Sequence, residues 1–237
     1  MTPVDRSAEQ ALNTAASVGP YFAMNVDHGT DSAWRPFTEL VEPRVLRENV
    51  AMVRTVLAER AGRSIDEFDL RACASTFFLG LAARVIAPPL GALVLTGTVV
   101  QLELGRLRWQ RVTGGPMPIA IDDPKVTEGD LYHAVIEPVM APLADAFAST
   151  FALSPQVLWG NVASAIAGAT TMLCTVGPEV EDPLEVAREL SSHGRLARMG
   201  QWRDGRFTRN NCCLFYRLPS GGKCSDCVLL ATRATRQ

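Results

Sequence analysis

Apolar residues along the chain recur mostly at helical spacing. Glu42–Arg60 has proline near its start and apolar side chains three or four positions apart, which predicts a helix that Gly62 ends. Ser154–Cys174 opens with Ser-Pro, a pair typical of the N-cap and first helical position, and predicts another helix. The same reasoning predicts helices over Ser7–Val18, Ala72–Ile86, Asp130–Phe147 and Glu185–Leu190.

Prolines and β-branched residues predict where this helical pattern is interrupted. We expect the helix over Ala72–Ile86 to end before Pro88, because a residue preceding proline is pushed away from helical backbone angles. Leu93–Glu103 and Leu107–Val112 then predict a strand pair broken at Gly105. The fold class expected is therefore α+β, a mostly helical domain with a small antiparallel sheet and an irregular C-terminal segment.

The composition is sufficient for a hydrophobic core. The chain has 237 residues, of which 47% are hydrophobic, and we place a domain boundary between residues 1–190 and 191–237. The N-terminus lacks the basic-then-apolar pattern of a signal peptide, so the cytoplasm is the expected compartment. The apolar stretches 72–104 and 153–176 are interrupted by Arg84, prolines and small polar residues, which favours buried helices over transmembrane segments.

Charge divides the chain unevenly. Residues 1–187 contain 13 Lys and Arg against 22 Asp and Glu, whereas residues 188–237 contain 10 against 3. A basic C-terminal part indicates either an interacting segment or a bound anionic group. Nucleic acid is not an expected partner, because the basic residues are few and the remainder of the chain is acidic.

Four of the six cysteines fall in the pattern C-C-x10-C-x2-C, formed by Cys212, Cys213, Cys224 and Cys227. Converging thiolates select zinc or an iron–sulfur cluster. The adjacent side chains of Cys212 and Cys213 diverge, which fits a two-iron cluster better than one tetrahedral ion. Spacing alone nevertheless leaves a zinc site almost equally open, and a reducing cytoplasm opposes a disulfide between neighbours. Cys73 and Cys174 lie in apolar stretches and are expected to be buried core thiols.

The segment Cys212–Pro219, with Cys224 and Cys227, resembles the C-terminal [2Fe–2S] region of FhuF-type ferric-siderophore reductases. Upstream, Leu158-Trp159-Gly160-Asn161 is similar to part of that family's larger domain. The resemblance implies that the four cysteines hold a [2Fe–2S] cluster and that residues 1–190 bind the iron chelate. It also implies one-electron reduction in the cytoplasm, with release of Fe(II) and with electrons from a separate donor such as ferredoxin. Hydroxamate or mixed siderophores are favoured on the same analogy.

Basic residues beside the cysteines are candidates for attracting the anionic chelate or an acidic electron donor: Arg195, Arg198, Arg203, Arg206 and Arg209. No catalytic residue is expected beyond the cluster, since His28, His133 and His193 lack a motif that couples them to a nucleophile. No G-x-G-x-x-G dinucleotide motif is evident either. Two other interpretations stay open, a zinc-stabilised interaction protein without activity and an iron–sulfur redox sensor. Weak membrane association is also left open.

Overall fold

The computed structural model describes residues 8–230 except 28–32, 114, 177–179 and 220. Its main helices, in chain order, are α1 (Ala8–Ala16), α2 (Pro43–Ala61), α3 (Leu70–Thr96), α4 (Ala141–Phe151), α5 (Pro155–Leu173) and α6 (Pro183–Ser192). A π-helical segment, Tyr132–Met140, runs directly into α4. The strands are β1 (Asn25–Asp27), β2 (Arg35–Pro36), β3 (Val99–Gln101), β4 (Leu107–Trp109), β5 (Ile119–Asp122), β6 (Lys125–Thr127), β7 (Gly200–Arg203) and β8 (Arg206–Arg209).

The helices with strong local start and stop residues form where the sequence predicts them. Helix α2 begins with Pro43 and ends at Gly62, which has the left-handed backbone angles that glycine adopts without a Cβ penalty. Helix α5 begins after Ser154, whose hydroxyl accepts a hydrogen bond from the backbone N–H of Val157. Both predictions are therefore confirmed.

The prediction that a helix ends before Pro88 is wrong. Helix α3 continues through Pro88 and Pro89 to Thr96, and Gly97 ends it in the left-handed region. An internal proline costs a helix about 3 kcal/mol, but Leu90, Ala92 and Val94 beyond the prolines are buried in the core. Burial of this last part of α3 offsets the local penalty, which is a tertiary effect that the sequence pattern does not display.

The strands form three small sheets, one of them mixed. The largest has the order β1-β5-β4-β2, and its β1 pairs parallel with β5 while the other pairs are antiparallel. The expected pairing of Leu93–Glu103 with Leu107–Val112 is wrong, because β3 pairs with β6 and β4 pairs with β5. The sheet is thus not purely antiparallel, although the α+β class is confirmed.

Helix α3 forms the centre of the core. It packs most extensively against α5, with α1, α2 and α4 around it. Of the helices in the described ranges, α3 alone is long and apolar enough to cross a membrane, yet 72% of its most apolar window is buried inside the protein. Its apolar side chains therefore serve the core.

The segment after α6 folds as a hairpin followed by irregular chain. Strands β7 and β8 pair antiparallel across Asp204 and Gly205, which both have positive φ angles, as tight hairpin turns require. Strand β8 packs on α5, and the cysteine segment 210–227 follows it. Apart from one short 3-10 turn, Phe215–Arg217, the described residues of this segment form no helix or strand. The cysteines consequently lie against α3 and α5, and the expected irregular C-terminal segment is confirmed.

Candidate metal centre

The four cysteines of the irregular segment lie beside the helical core, and two of them, Cys213 and Cys224, are in contact through their sulfurs. Cys213 and Cys227 are buried, whereas Cys212 and Cys224 are half-buried. The backbone at Cys213 is attached to α3, because its carbonyl oxygen accepts a 2.7 Å hydrogen bond from the Ser75 hydroxyl. The chain turns sharply just after Cys213, where Leu214 has a positive φ angle of 68°.

Two of the sulfurs lie close together. Cys213 Sγ and Cys224 Sγ are 3.5 Å apart, much longer than the roughly 2.0 Å bond of a disulfide. Two thiolates bound to one tetrahedral metal ion at about 2.3 Å each would lie slightly farther apart, near 3.8 Å. The spacing therefore suits two ligands of one iron and needs little adjustment.

The sulfurs are also coupled electrostatically. The hydrogen bond from Cys224 lowers the pKa of Cys213 to about 6, and the same bond together with burial raises the pKa of Cys224. Burial raises the pKa of Cys212, and negative charge on Cys213 and Cys227 raises it further. A lowered pKa favours the thiolate form of Cys213, the form in which cysteine binds a metal.

The donor set fits a two-iron cluster better than a hard metal ion. Thiolates are soft ligands, and the backbone N–H of Leu214 points at Cys212 Sγ from 3.4 Å, as donors around iron–sulfur clusters do. Within the described ranges, no three His, Cys, Asp or Glu side chains converge on one point suited to a metal ion. The observed pairing of Cys213 with Cys224 corresponds to the two cysteines that each iron of a [2Fe–2S] cluster takes.

A buried ion pair holds the turn between Cys224 and Cys227 on α5. Asp226, between Cys224 and Cys227, lies with its carboxylate 3.3 Å from Arg209 Nε, an ion pair without hydrogen-bond geometry. The Asp226 carboxylate also accepts a hydrogen bond from the Ser164 hydroxyl of α5. Because the Arg209 side chain is completely buried, loss of either charge would leave the other unpaired inside the protein.

The same network reaches Cys213, which follows directly after Cys212. Arg209 donates hydrogen bonds to Asn161 Oδ1 at 3.1 Å and to the Gly160 carbonyl at 2.7 Å. Asn161 in turn donates to the carbonyl and hydroxyl oxygens of Ser75, which donates to Cys213. One continuous buried network therefore links both cysteine-bearing segments to α3 and α5.

The arginines predicted as binding residues do not form one group. Arg203 and Arg206 are exposed and paired in register on either side of the hairpin turn, and Arg198 is also exposed. Arg195 lies instead near Asp145 of α4, at 3.6 Å, with its guanidinium 5.3 Å from the Trp159 ring centre. Arg209 is inside the protein, where its guanidinium cannot meet a ligand at the surface.

Cys73, Cys174 and His133 take no part in the contacts of this centre. Cys73 is a buried thiol of α3, as predicted. The expectation that Cys174 is buried is wrong. Cys174 is exposed because it is the C-cap of α5 and follows the last buried residue of that helix, Leu173. His133 pairs with Asp130 at the surface, and His28 lies outside the described residues.

A groove of about 530 Å³ opens beside the turn between Cys224 and Cys227. Its floor is the small-residue face of α5, and one wall is the turn Ser225-Asp226. The hairpin turn supplies the opposite wall, with Asp204, Gly205 and Arg206. Sequence reasoning missed this groove and the roles of Ser75 and Ser164; polar residues inside otherwise apolar helices were the only available indication.

Comparison with known proteins places the cysteine segment in a family. Residues 209–229 match the family model described as FhuF 2Fe-2S C-terminal domain, and Cys212, Cys213, Cys224 and Cys227 all fall within the match. No curated protein matches the chain. The matched residues run from the buried Arg209 through both cysteine pairs, which is the part of the chain that the buried network fixes. The chain therefore carries a FhuF-type 2Fe-2S C-terminal domain, for which the cofactor is a [2Fe–2S] cluster.

Proposed function

We propose that this protein is a one-electron reductase that releases Fe(II) from ferric siderophores. One observation carries the proposal: a FhuF-type cysteine segment is seated beside a groove large enough for a small chelate. Cys212, Cys213, Cys224 and Cys227 are the proposed ligands of the cluster. Ligand sites of drug-sized molecules commonly have volumes of about 300–1,000 Å³, a range that includes this groove.

The chemistry follows from the two oxidation states of iron. Siderophores hold iron(III) with hard anionic oxygen donors, which bind iron(II) much more weakly. The cluster, when bound, supplies one-electron transfer, and an external donor must replace each electron that passes to the iron. The protein's own residues then have two tasks, to hold the chelate near the cysteines and to fix the cysteine segment.

The charges around the groove favour a chelate without net charge. Arg206 and Asp204 bring one positive and one negative charge to its rim, and Asp226 is already paired with Arg209. Three hydroxamates neutralise iron(III), whereas three catecholates leave three negative charges on the complex. A groove without excess positive charge suits the hydroxamate complex, in agreement with the preference for hydroxamate or mixed siderophores.

The exposed arginines have a separate proposed role. Arg198, Arg203 and Arg206 are exposed on the hairpin or just before it, and we assign to them the attraction of an acidic electron donor such as ferredoxin. We place the reaction in the cytoplasm and assign part of the chelate site to residues 1–190, through the α5 face of the groove. Because the groove also uses the hairpin and the turn at Ser225, residues 191–237 would complete that site.

Anaerobic purification followed by spectroscopy tests this proposal. We expect a red-brown protein with about two irons and two sulfides per chain and an EPR signal on one-electron reduction. Stoichiometric Fe(II), captured by a chromogenic trap, should appear when the reduced protein meets a ferric trihydroxamate. Zinc without sulfide would favour a structural interaction protein and reject the reductase. A cluster that reduces no ferric chelate would favour a redox sensor and reject it equally.

A further inference from the structure

The buried Arg209 is a feature that cluster ligation by four cysteines does not explain. Its guanidinium contacts three groups: Asn161 Oδ1, the Gly160 carbonyl and the Asp226 carboxylate. Its backbone N–H donates to the Asp226 carbonyl oxygen at 3.0 Å. Arg209 and Asp226 are thus joined by both main-chain and side-chain contacts, immediately beside the proposed cysteine ligands.

Burial of a complete guanidinium is costly unless every charge has a partner. The surroundings of Arg209 pair its charge with the Asp226 carboxylate and its two terminal nitrogens with neutral oxygens of α5, while Nε faces Asp226 without hydrogen-bond geometry. Ser164 gives the Asp226 carboxylate an additional donor. A simple attachment of the hairpin could use apolar side chains, as Phe207 does two positions earlier on the same face of β8. A charged group at this position therefore indicates a task that packing alone does not perform.

We propose that Arg209 and Asp226 form a positioning pair that fixes the Cys224–Cys227 turn on α5 and sets the reduction potential of the cluster by their opposing charges. The inference depends on the cysteine ligands proposed above. Positive charge near a cluster favours its reduced form, and negative charge disfavours it. Neutralising Arg209 should lower the potential, and neutralising Asp226 should raise it.

Three full-length variants separate this pair from a purely structural contact: Arg209→Gln, Asp226→Asn and the double variant. EPR-monitored redox titration should give a more negative potential for Arg209→Gln, a more positive one for Asp226→Asn, and a value near wild type for the double variant. Arg209→Gln should also shorten the half-life of the visible chromophore about tenfold, a typical loss for residues that support metal ligands. The double variant should recover much of that half-life, because it no longer buries an unpaired carboxylate.

Arg47→Gln is the matched control, since Arg47 is an exposed arginine of α2 outside the network. It should change neither the reduction potential nor the half-life of the chromophore.

Two results would overturn the inference. One is a wild-type reduction potential and half-life in Arg209→Gln, and the other is a double variant as impaired as Arg209→Gln in both measurements. A wild-type chain without a cluster would instead reject the proposed function. Amide hydrogen exchange over residues 210–227 would then still show whether Arg209→Gln loosens the turn and the double variant restores it.

Discussion

Gly160 of α5 lies directly beneath the side chain of Asn211, the residue that precedes the cysteine pair. A Cβ at position 160 would overlap the Asn211 carboxamide, whose buried Oδ1 has no hydrogen-bond partner in the described part of the chain. The Gly160 carbonyl also accepts from Arg209. Close approach of the cysteine segment to α5 therefore depends on the absence of a side chain at one position.

Gly160→Ala should push the cysteine segment away from α5. We expect a loss of about 1–3 kcal/mol in the free energy of unfolding, the usual cost of overpacking a core, together with faster loss of the chromophore. Gly168→Ala on the same helix is the control, because its Cβ would contact nothing and alanine should stabilise the helix by about 0.5–1 kcal/mol. Urea denaturation of both variants gives the comparison, and equal behaviour would contradict the predicted overlap.

Substitution of single cysteines tests the proposed ligand set. Changing Cys212, Cys213, Cys224 or Cys227 to Ser should remove or strongly reduce the visible absorbance, because serine lacks the soft sulfur that iron prefers. Cys73→Ser and Cys174→Ser should retain it. Absorbance and iron content after anaerobic purification measure the effect. Loss of the chromophore in the last two variants, with retention in the first four, would show that the ligands lie elsewhere.

Local signals in the sequence were sufficient for some elements and insufficient for others. Ser154-Pro155 marks the start of α5 because both residues act on the adjacent turn alone. Pro88-Pro89 mispredicts the end of α3 because burial of the residues beyond them outweighs the local penalty. The strand partners of Val99–Gln101 depend on chain segments far away, which local alternation cannot identify.

In the candidate site, too, some residues can be predicted from local sequence and others depend on tertiary contacts. The four proposed ligands stand out in the sequence by their spacing, since thiolates close together in the chain can reach one cluster. Arg206 and Arg209 look alike in sequence, yet one is exposed and the other is completely buried. The alternation of a strand offers a partial indication, because Arg209 shares a face with the buried Phe207. Its partners on α5 become visible only when the helix and the hairpin are packed together.

The pair His133 and Asp130 predicts a pH effect at the surface. Hydrogen bonding to Asp130 raises the pKa of His133 above its ordinary value of 6.5. The interaction therefore stabilises the fold below about pH 6.5 and is lost as the pH rises through the higher folded pKa. An NMR titration should show the raised value, and Asp130→Asn should lower it while keeping an oxygen that can accept from the His133 backbone N–H. Glu137→Gln, which removes a weaker contribution, should lower it less.

The exposed arginines near the cysteine segment predict that the rate of reduction by ferredoxin depends on salt. Reduction by an acidic ferredoxin should slow as ionic strength rises beyond about 0.1 M, where charges farther apart than roughly 10 Å are screened. Arg203→Gln should lower the ferredoxin-dependent rate and weaken its salt dependence. Arg47→Gln should leave both close to wild type. Stopped-flow rates across a salt series measure the effect, and a wild-type rate independent of salt would reject the basic surface as a docking site.

The groove beside Ser225 predicts a variant that blocks the chelate and spares the cluster. Thr171 is an exposed residue on the groove's α5 face, so Thr171→Trp would place an indole where the chelate is proposed to lie. We expect an increase of about tenfold or more in KM for a ferric trihydroxamate, because one bulky group removes much of the contact surface. The absorption spectrum, the reduction potential and the rate with ferricyanide should stay unchanged, since a small acceptor does not need the groove. Gln156→Trp adds the same indole to an exposed position in the first turn of α5, outside the groove, and should leave KM unaltered. An unchanged KM in Thr171→Trp would place the chelate on another surface, and the four cysteines would then have to be approached from a different side.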